Sequence, residues 1–167
     1  MNIELVSFLD IPLEIQKQTR LWRNKENVAR FFKIPYIDEE THMRWLNSLK
    51  QEHPQNMAFM IKVDNKYVGV TYFHSIDYDK RQADWGIYIY RDDLRGKGIG
   101  HCVLSYCISF AREDLHFLTL FLDVLETNER ARELYIKCGF KIIDRNNSFL
   151  RYKLTLYNDS IIDTRGV

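Results

Sequence analysis

The feature that most constrains this chain is a strand that enters a glycine-rich turn and then a helix. Residues 83–90 alternate as a β-strand does, a polar loop follows, and residues 95–100 read Arg-Gly-Lys-Gly-Ile-Gly before an apolar, helix-periodic run. Glycines let the backbone approach a ligand closely, N–H groups converge at the helix start, and the helix dipole favours negative charge. The stretch therefore predicts a site for a phosphate-bearing ligand.

Two other interpretations of this turn have to be weighed. A dinucleotide-binding fold is one, because Asp123 ends a later strand about where a ribose-binding acid would lie. Against it, His101 stands where the third glycine of Gly-x-Gly-x-x-Gly belongs, and too little chain follows for the second half of such a fold. The other is a plain strand–turn–helix corner that is merely rich in glycine.

A second segment makes the plain corner less attractive. A strand over 118–124 precedes six residues in a fixed order, namely Asn128, Ala131, Leu134, Tyr135, Gly139 and Phe140. This order resembles the motif Asn-x-x-Ala-x-x-Leu-Tyr-x-x-x-Gly-Phe of the GCN5-related N-acetyltransferases (GNAT family). In the turn, Arg95, Gly98 and Gly100 resemble the same family's Arg/Gln-x-x-Gly-x-Gly/Ala. The resemblance covers roughly residues 57–145.

The resemblance implies an α/β (α+β) fold in one domain, residues 1–167. Its centre would be a mostly antiparallel mixed sheet of about seven strands, splayed in the middle and flanked by about four helices. The acetyl-CoA-binding core would span about 57–145, with acetyl-CoA as cosubstrate and no metal. Cofactor binding is then expected of the following residues: Ile87, Tyr88, Ile89, Arg95, Gly96, Lys97, Gly98, Ile99, Gly100, Asn128 and Tyr135.

The chemistry that the resemblance implies is direct attack by an amine on the thioester. Tyr135 would sit beside the sulfur and protonate the departing thiolate. The base stays open at this point. Asp123 borders the split and His74 ends a strand with a suitable ordinary pKa, yet both residues are equally readable as surface positions. Asp84 is expected to pair with Arg81 or Lys80 along the ladder, and Glu126 is expected to cap the next helix.

The N-terminal third indicates the acceptor. Residues 12–52 form an aromatic-rich helix–loop–helix whose Trp-Arg-Asn … Tyr-Ile-Asp-Glu-Glu-x-His pattern resembles the nucleotide-sugar N-acetyltransferases of pseudaminic acid biosynthesis, which serve flagellin glycosylation. The resemblance implies acetylation of the 4-amino group of a UDP-linked 4-amino-4,6-dideoxy-N-acetylaltrosamine. The residues expected to bind this acceptor are Trp22, Arg23, Asn24, Arg30, Lys33 and His42.

Two other function classes remain open. Trp-Arg-Asn also occurs in relatives that acetylate protein N-termini, so a peptide amine is an alternative acceptor. A non-catalytic acyl-CoA-binding module is the other alternative, and the presence of Tyr135 counts against it. A homodimer is also possible on the sequence alone.

Composition bounds the remaining expectations. The 167 residues carry a formal net charge of +1, which gives no bulk field for nucleic acid or an anionic membrane. No apolar run is long enough to span a bilayer, the N-terminus has no signal-like segment, and the three cysteines are expected to be reduced, so a cytoplasmic protein is predicted. Five scattered histidines lack metal-ligand spacing. The tail from Asn158 is expected to fray.

The remaining pattern predicts the element order. A strand at 3–8 precedes a helix from Pro12 to about Arg23, and a second helix capped by Asp38 is expected to stop at Pro54. A hairpin follows over 57–63 and 67–74. After the turn and its helix, a strand ends at 124, a short helix covers about 129–138, and two strands at about 140–145 and 149–157 close the domain.

Overall fold

The computed structural model describes residues 1–157 as a seven-stranded sheet with helices on both faces. The strands are β1 (Ile3–Ser7), β2 (Met57–Val63), β3 (Lys66–Asp77), β4 (Gln82–Ile89), β5 (Thr119–Leu125), β6 (Lys141–Asn146) and β7 (Phe149–Thr155). The helices are α1 (Leu13–Arg23), α2 (Glu26–Ala29), α3 (Glu39–Ser48), α4 (Ile99–Glu113) and α5 (Glu129–Lys137). The tail that was expected to fray lies outside the described residues.

The strand order across the sheet is β1-β2-β3-β4-β5-β7-β6, and β4–β5 is the parallel pair. The predicted mixed, mostly antiparallel sheet of seven strands is therefore confirmed. Five helices flank it where about four were predicted. The additional helix, α2, has four residues, and so short a segment has too few residues to show helical periodicity.

The sheet is split in its middle, between β4 and β5. The two strands pair at Gln82–Thr119, Ala83–Leu120 and Asp84–Phe121 and no further along their described lengths. Beyond Asp84 and Phe121 they diverge, so residues 85–89 and 122–125 border a gap that runs toward the carboxyl ends of both strands. The predicted splay is confirmed at this place.

Apolar side chains pack on both faces of the sheet. On one face, α4 and α5 cover a cluster that includes Phe73, Trp85, Leu104 and Tyr152. On the other face, α1 and α3 cover a smaller cluster around Phe8, Leu46, Met60 and Val70. The smaller cluster lies over the β1–β4 side of the sheet and leaves the far end of that face open beside the split.

The helix ends follow from local hydrogen bonds. Asp38 caps α3 as predicted, its carboxylate accepting from the Thr41 N–H at 2.7 Å. Pro54 does not stop this helix, contrary to the prediction, because α3 already ends at Ser48. The Ser48 hydroxyl donates to the Trp45 carbonyl at 2.6 Å and accepts from Asn56 at 2.9 Å, which closes the last turn early.

Two properties of the described residues bear on partners and ligands. Within residues 1–157 the longest helix is α4, with 15 residues, and no helix there has the length and hydropathy of a membrane span. In the same residues, no three His, Cys, Asp or Glu side chains converge on a point that would hold a metal ion.

Candidate active site

A cavity of about 860 Å³ opens at the split between β4 and β5. One end is lined by the turn at 95–100 and the start of α4, and the other by the loop between α2 and α3. Of the sequence-predicted site residues, the structure brings these to the cavity: Arg23, His74, Ile87, Tyr88, Ile89, Arg95, Gly96, Gly98, Ile99, Gly100, Asp123, Asn128 and Tyr135. Lys33 lines it as well.

The glycine turn has the geometry of an anion site. Gly96 and Gly98 adopt left-handed φ angles of +76° and +79°, which side chains with a Cβ rarely tolerate. Gly98 is the N-cap of α4, and a Cβ at this position would meet no atom within 4 Å. The N-terminal N–H groups of a helix of 15 residues thus adjoin open space, where the helix dipole favours an anion.

The cationic side chains of the turn are arranged differently from the prediction. Lys97 is exposed and does not line the cavity. Arg95 lines the cavity, but its guanidinium donates to the Asn27 carbonyl at 2.8 Å and pairs with Asp92 at 3.0 Å. Arg95 therefore ties the turn to α2. Arg130, which the sequence analysis missed, places its guanidinium 2.6 Å from where a Gly96 Cβ would stand.

The free edge of β4 faces the gap with alternate residues. The Tyr90 N–H donates to the Val68 carbonyl at 3.1 Å, so the ladder to β3 uses the even-numbered residues of β4. Ile87 and Ile89 consequently turn their N–H and C=O groups toward the split. Tyr88 contributes through its side chain and not through its backbone, which corrects the expectation for this residue.

Tyr135 lies on α5 at the inner end of the split. Its side chain is buried, and its ring packs edge-to-face on Trp85 with centroids 6.1 Å apart. Burial raises the pKa of Tyr135 well above its ordinary value. The phenol therefore keeps its proton at neutral pH and is available as a donor.

Asn128 has a structural role in addition to any contact with a ligand. Its side-chain oxygen accepts from the Ala131 N–H at 3.4 Å and caps α5. The cap predicted for Glu126 is wrong, because this position belongs to Asn128. Glu126 instead forms an ion pair with Arg145 and accepts from Arg132 through its carbonyl at 2.9 Å.

A charged cluster lies beside the split on the open face of the sheet. Asp123 accepts from Lys33 at 2.8 Å and from Arg151 at 3.2 Å. Arg151 also holds both oxygens of Asp84, at 2.8 and 3.0 Å. The predicted partners of Asp84, Arg81 and Lys80, are therefore wrong; pairing across the sheet with β7 takes their place.

The two candidate bases differ in their electrostatics. Burial raises the pKa of Asp123, but hydrogen bonds and charge from Lys33 and Arg151 outweigh burial and leave that pKa below its ordinary value. Burial lowers the pKa of His74, and the nearby Asp84 and Asp123 offset this only in part. At neutral pH, His74 is neutral and able to accept a proton, whereas Asp123 is an ionised and already paired carboxylate.

Arg23 approaches the cavity from α1. Its guanidinium lies over the Phe32 ring, 3.6 Å from the centroid, and Nη2 donates to the Ile34 carbonyl at 2.8 Å. Nη1 is buried and has no hydrogen-bond partner within residues 1–157. Burial lowers the pKa of Arg23, although the guanidinium remains charged. A cation with an unused donor at a cavity wall is suited to an anionic ligand group.

Four predicted acceptor residues do not line this cavity. Trp22 stacks on Tyr90 with centroids 4.4 Å apart, and Arg30 lies exposed with its guanidinium 4.7 Å from the centre of the Phe31 ring. Asn24 uses its amide to hold both backbone groups of Ile37, each at 2.8 Å. These residues shape the loop and are not placed to contact a ligand in the cavity.

His42 is the fourth, and its surroundings explain its position. It is buried between α1 and α3, with Nε2 3.1 Å from the Thr19 hydroxyl. Because that hydroxyl donates to the Gln16 carbonyl at 2.7 Å, His42 is the donor through Nε2. Burial lowers the pKa of His42 to about 4, with a smaller effect from Arg20. The expected contact of His42 with the acceptor is therefore corrected to a role in helix packing.

The sequence analysis missed Tyr72 because a tyrosine within an alternating strand looks like ordinary core. The Tyr72 ring lies over Gly86, where a Cβ would meet the hydroxyl at 2.5 Å. Burial raises the pKa of Tyr72 to about 12, so this hydroxyl also stays protonated. Phe31, Phe32 and Phe149 complete an aromatic wall on the acceptor side.

Comparisons with known proteins agree with this geometry. Residues 12–141 match the family described as an acetyltransferase (GNAT) domain. Two curated relatives named Acetyltransferase PseH, from two strains of Campylobacter jejuni subsp. jejuni, are 30% and 29% identical over 147 residues. Each alignment covers 88% of this chain and 90% of the relative.

Solved structures give the same result. Campylobacter jejuni N-acetyltransferase PseH in complex with acetyl coenzyme A is similar with a TM-score of 0.70 and 25% identity, covering 92% of this chain and 99% of the other. Spermidine N-acetyltransferase from Vibrio cholerae in complex with CoA and spermine has a TM-score of 0.79 at 18% identity, covering 92% of this chain and 95% of the other. The second likeness bears on the fold alone.

Proposed function

The chain belongs to the GNAT acetyltransferase family and is an acetyl-CoA-dependent N-acetyltransferase, and from that premise we propose that its acceptor is the 4-amino group of a UDP-linked amino-deoxy sugar. The similarity to proteins named PseH, whose pathway is pseudaminic acid biosynthesis, supports a nucleotide-linked sugar. The observation that carries the proposal is the charge of the cavity wall.

Cations dominate that wall. Among the described lining residues, Arg23, Lys33, Arg95 and Arg130 are cationic, and Asp123 is the carboxylate. A polyamine acceptor would need several free carboxylates, and Asp123 is already paired with Lys33 and Arg151. A nucleotide diphosphate supplies the negative charge that this wall lacks, and the aromatic wall suits stacking on uracil or on the sugar ring.

We assign the cofactor end of the cavity to the turn at 95–100. The N–H groups at the start of α4 would hold the pyrophosphate, with Arg130 adding charge beside Gly96. The pantetheine would enter the split and pair with the groups of Ile87 and Ile89 that have no strand partner there. One of these N–H groups would polarise the thioester carbonyl.

The proposed reaction is a direct transfer without a covalent enzyme intermediate. The amine nitrogen forms a bond to the thioester carbonyl carbon, and the bond from that carbon to sulfur breaks. Tyr135 gives its proton to the departing thiolate, and His74 takes the proton that the amine loses. Asp123 is a weaker choice as base because its pKa is low and its oxygens are occupied, so we assign it to binding the ammonium form.

Further expectations stay with this proposal. We propose that residues 1–167 form one N-acetyltransferase domain, with an acceptor-binding part at about 12–52. We also propose a cytoplasmic location, in keeping with the three free thiols, Cys102, Cys107 and Cys138. A homodimer remains possible.

The direct test is an assay with purified protein, acetyl-CoA and three amines. These are a UDP-linked 4-amino-4,6-dideoxy sugar, a peptide with a free N-terminus, and spermidine. We expect CoA thiol release and one added acetyl group, found by mass spectrometry, on the UDP-linked sugar. Preference for the peptide would replace the acceptor with the alternative from the sequence. Absence of transfer to any amine, with intact acetyl-CoA binding, would favour an acyl-CoA-binding module.

A further inference from the structure

We propose that the Lys33–Asp123 ion pair is a charge-exchange site that selects acceptors carrying both an ammonium and an anionic group. On binding, the anionic group of the acceptor takes Lys33 as its partner, and the ammonium takes Asp123. This inference rests on the proposed function and specifies the class of acceptor: an amine that bears a phosphate or another anion within the same molecule.

The ion pair is placed where both halves of such an acceptor would arrive. Asp123 lies on β5 two residues beyond Phe121, the last residue that pairs with β4, and therefore borders the split. Lys33 lies on the loop between α2 and α3, which forms the outer wall of the cavity. Their 2.8 Å contact spans the acceptor end of the cavity.

The pair is built to open. The side chains of Lys33 and Asp123 are 47% and 31% exposed, and an ion pair with this access to water has little net stability, about 0–1 kcal/mol. The further contact of the Lys33 ammonium is a face of Phe149, 5.3 Å from the ring centroid. Replacing each partner by a ligand group of the same charge sacrifices little stability.

Each member retains support after the exchange. Asp123 keeps Arg151 at 3.2 Å, which favours its ionised form while it holds an ammonium. Lys33 is joined on the same wall by Arg23, whose buried Nη1 is without a protein partner in the described chain. Two cations, one fixed on Phe32 and one on a mobile lysine side chain, thus stand ready for one anionic group.

Charge balance explains the selectivity. An amine without an anion must displace the Lys33 ammonium from Asp123 and leave it with no counter-charge near the site. An anion without an amine would leave Asp123 facing Arg151 alone and would bring nothing to acetylate. A molecule with both charges replaces the pair one for one, so no charge in the cavity is left without its partner.

The test compares two acceptors with the same amine. One is the UDP-linked 4-amino sugar, and the other is the methyl glycoside of the same 4-amino sugar, which has no phosphate. For Lys33→Met we expect kcat/KM for the UDP-linked sugar to fall about tenfold or more, mainly through KM, while kcat/KM for the methyl glycoside stays equal or rises. Lys33→Arg keeps the charge and should retain most of the wild-type preference.

Lys66→Met on β3 is the matched control, because Lys66 is an exposed lysine that does not line the cavity. It should leave both kcat/KM values unchanged. Equal losses for both sugars in Lys33→Met, or no loss for either, would overturn the exchange. Failure of the wild-type protein to acetylate the UDP-linked sugar would instead refute the proposed function, and the two failures are therefore distinguishable.

Discussion

His74 and Asp123 line the same cavity, yet their neighbours give them opposite chemical characters. Burial holds the pKa of His74 below its ordinary value, and Lys33 and Arg151 together outweigh burial to hold the pKa of Asp123 below its own. A neutral imidazole accepts a proton, and a carboxylate of low pKa holds a cation. Sequence reasoning named both residues and did not choose between them, because Lys33 lies 90 residues from Asp123 along the chain.

The first prediction, at the residue scale, concerns the pH profile of kcat/KM. If His74 is the base, activity falls as His74 becomes protonated, and the acid limb lies below the ordinary histidine pKa of about 6.5 because burial lowers the folded-state value. His74→Gln should remove that limb and reduce kcat/KM by roughly 10²-fold. The measurement is a profile of initial rates against pH, with acetyl-CoA saturating.

Asp123→Asn serves as the comparison for this profile. Since the Asp123 charge raises the pKa of His74, its neutralisation should move the acid limb to still lower pH and not abolish it. An acid limb that persists unchanged in His74→Gln would assign the titration to another group.

At the scale of elements, the start of α4 is organised by its backbone more than by its cationic side chains. The left-handed Gly96 and Gly98 aim the chain into the helix, and open space adjoins Gly98. Arg95 turns toward Asn27, and Lys97 stays in solvent. Local sequence was sufficient to predict this site, since the turn geometry depends on glycine positions within one short segment.

The second prediction concerns Gly98→Asp. A side chain here would strain the left-handed backbone and place a carboxylate where the cofactor pyrophosphate is proposed to lie. Acetyl-CoA affinity, measured by calorimetry, should fall at least tenfold, which is about 1.4 kcal/mol. Gly98→Ala is the matched control, because it shares the strain without the charge and should lose less affinity. Wild-type affinity in a folded Gly98→Asp protein would contradict the assignment.

The packing of α1 against α3 depends on a neutral histidine. His42 is buried between them and donates to Thr19, and burial lowers its pKa to about 4 from an ordinary value of about 6.5 in the unfolded chain. The unfolded state therefore binds the proton more readily between these two pH values. Stability from this site is fully present above about pH 6.5 and is lost as pH falls toward 4.

The third prediction follows from that linkage. Acidification from about pH 6.5 to 4 should lower the free energy of unfolding by roughly 1–3 kcal/mol through His42. The thermal midpoint measured across this range should fall less steeply in His42→Gln, which retains a donor but does not titrate. Parallel curves for the two proteins would show that other groups cause the acid loss.

For the whole molecule, Arg151 joins strands that the split separates. From β7 it holds Asp84 on β4 and reaches Asp123 on β5, on either side of the point where those strands part. The Asp84 side chain is only 14% exposed, so its charge depends on this partner. The arginine thus keeps the two sides of the split in register while the gap beyond it stays open.

The fourth prediction is that Arg151→Met destabilises the fold. Asp84 would be left as a largely buried charge without its bidentate partner, and the free energy of unfolding should fall by about 2 kcal/mol in urea titrations. Combining Arg151→Met with Asp84→Asn should recover most of that loss, because the unpaired charge is gone. A single variant as stable as the wild type would mean that water compensates Asp84.

The sequence by itself determined the features that depend on short segments. The strand–turn–helix, the cofactor and the place of Tyr135 on its helix follow from backbone geometry and spacing within about fifty residues, which local patterns report directly. The strand order and the split were predictable as well, because the two motifs together identify the family fold.

Only the tertiary structure decided which side chains form the acceptor site. Trp22, Arg23 and Asn24 are consecutive, yet about 100° separates neighbours around a helix, so one stacks on Tyr90, one enters the cavity and one holds the loop. The same holds for Arg151 and Asp84, which are 67 residues apart in the chain. Charge partners across such separations depend on how the sheet and helices pack, and no local pattern of residues contains that information.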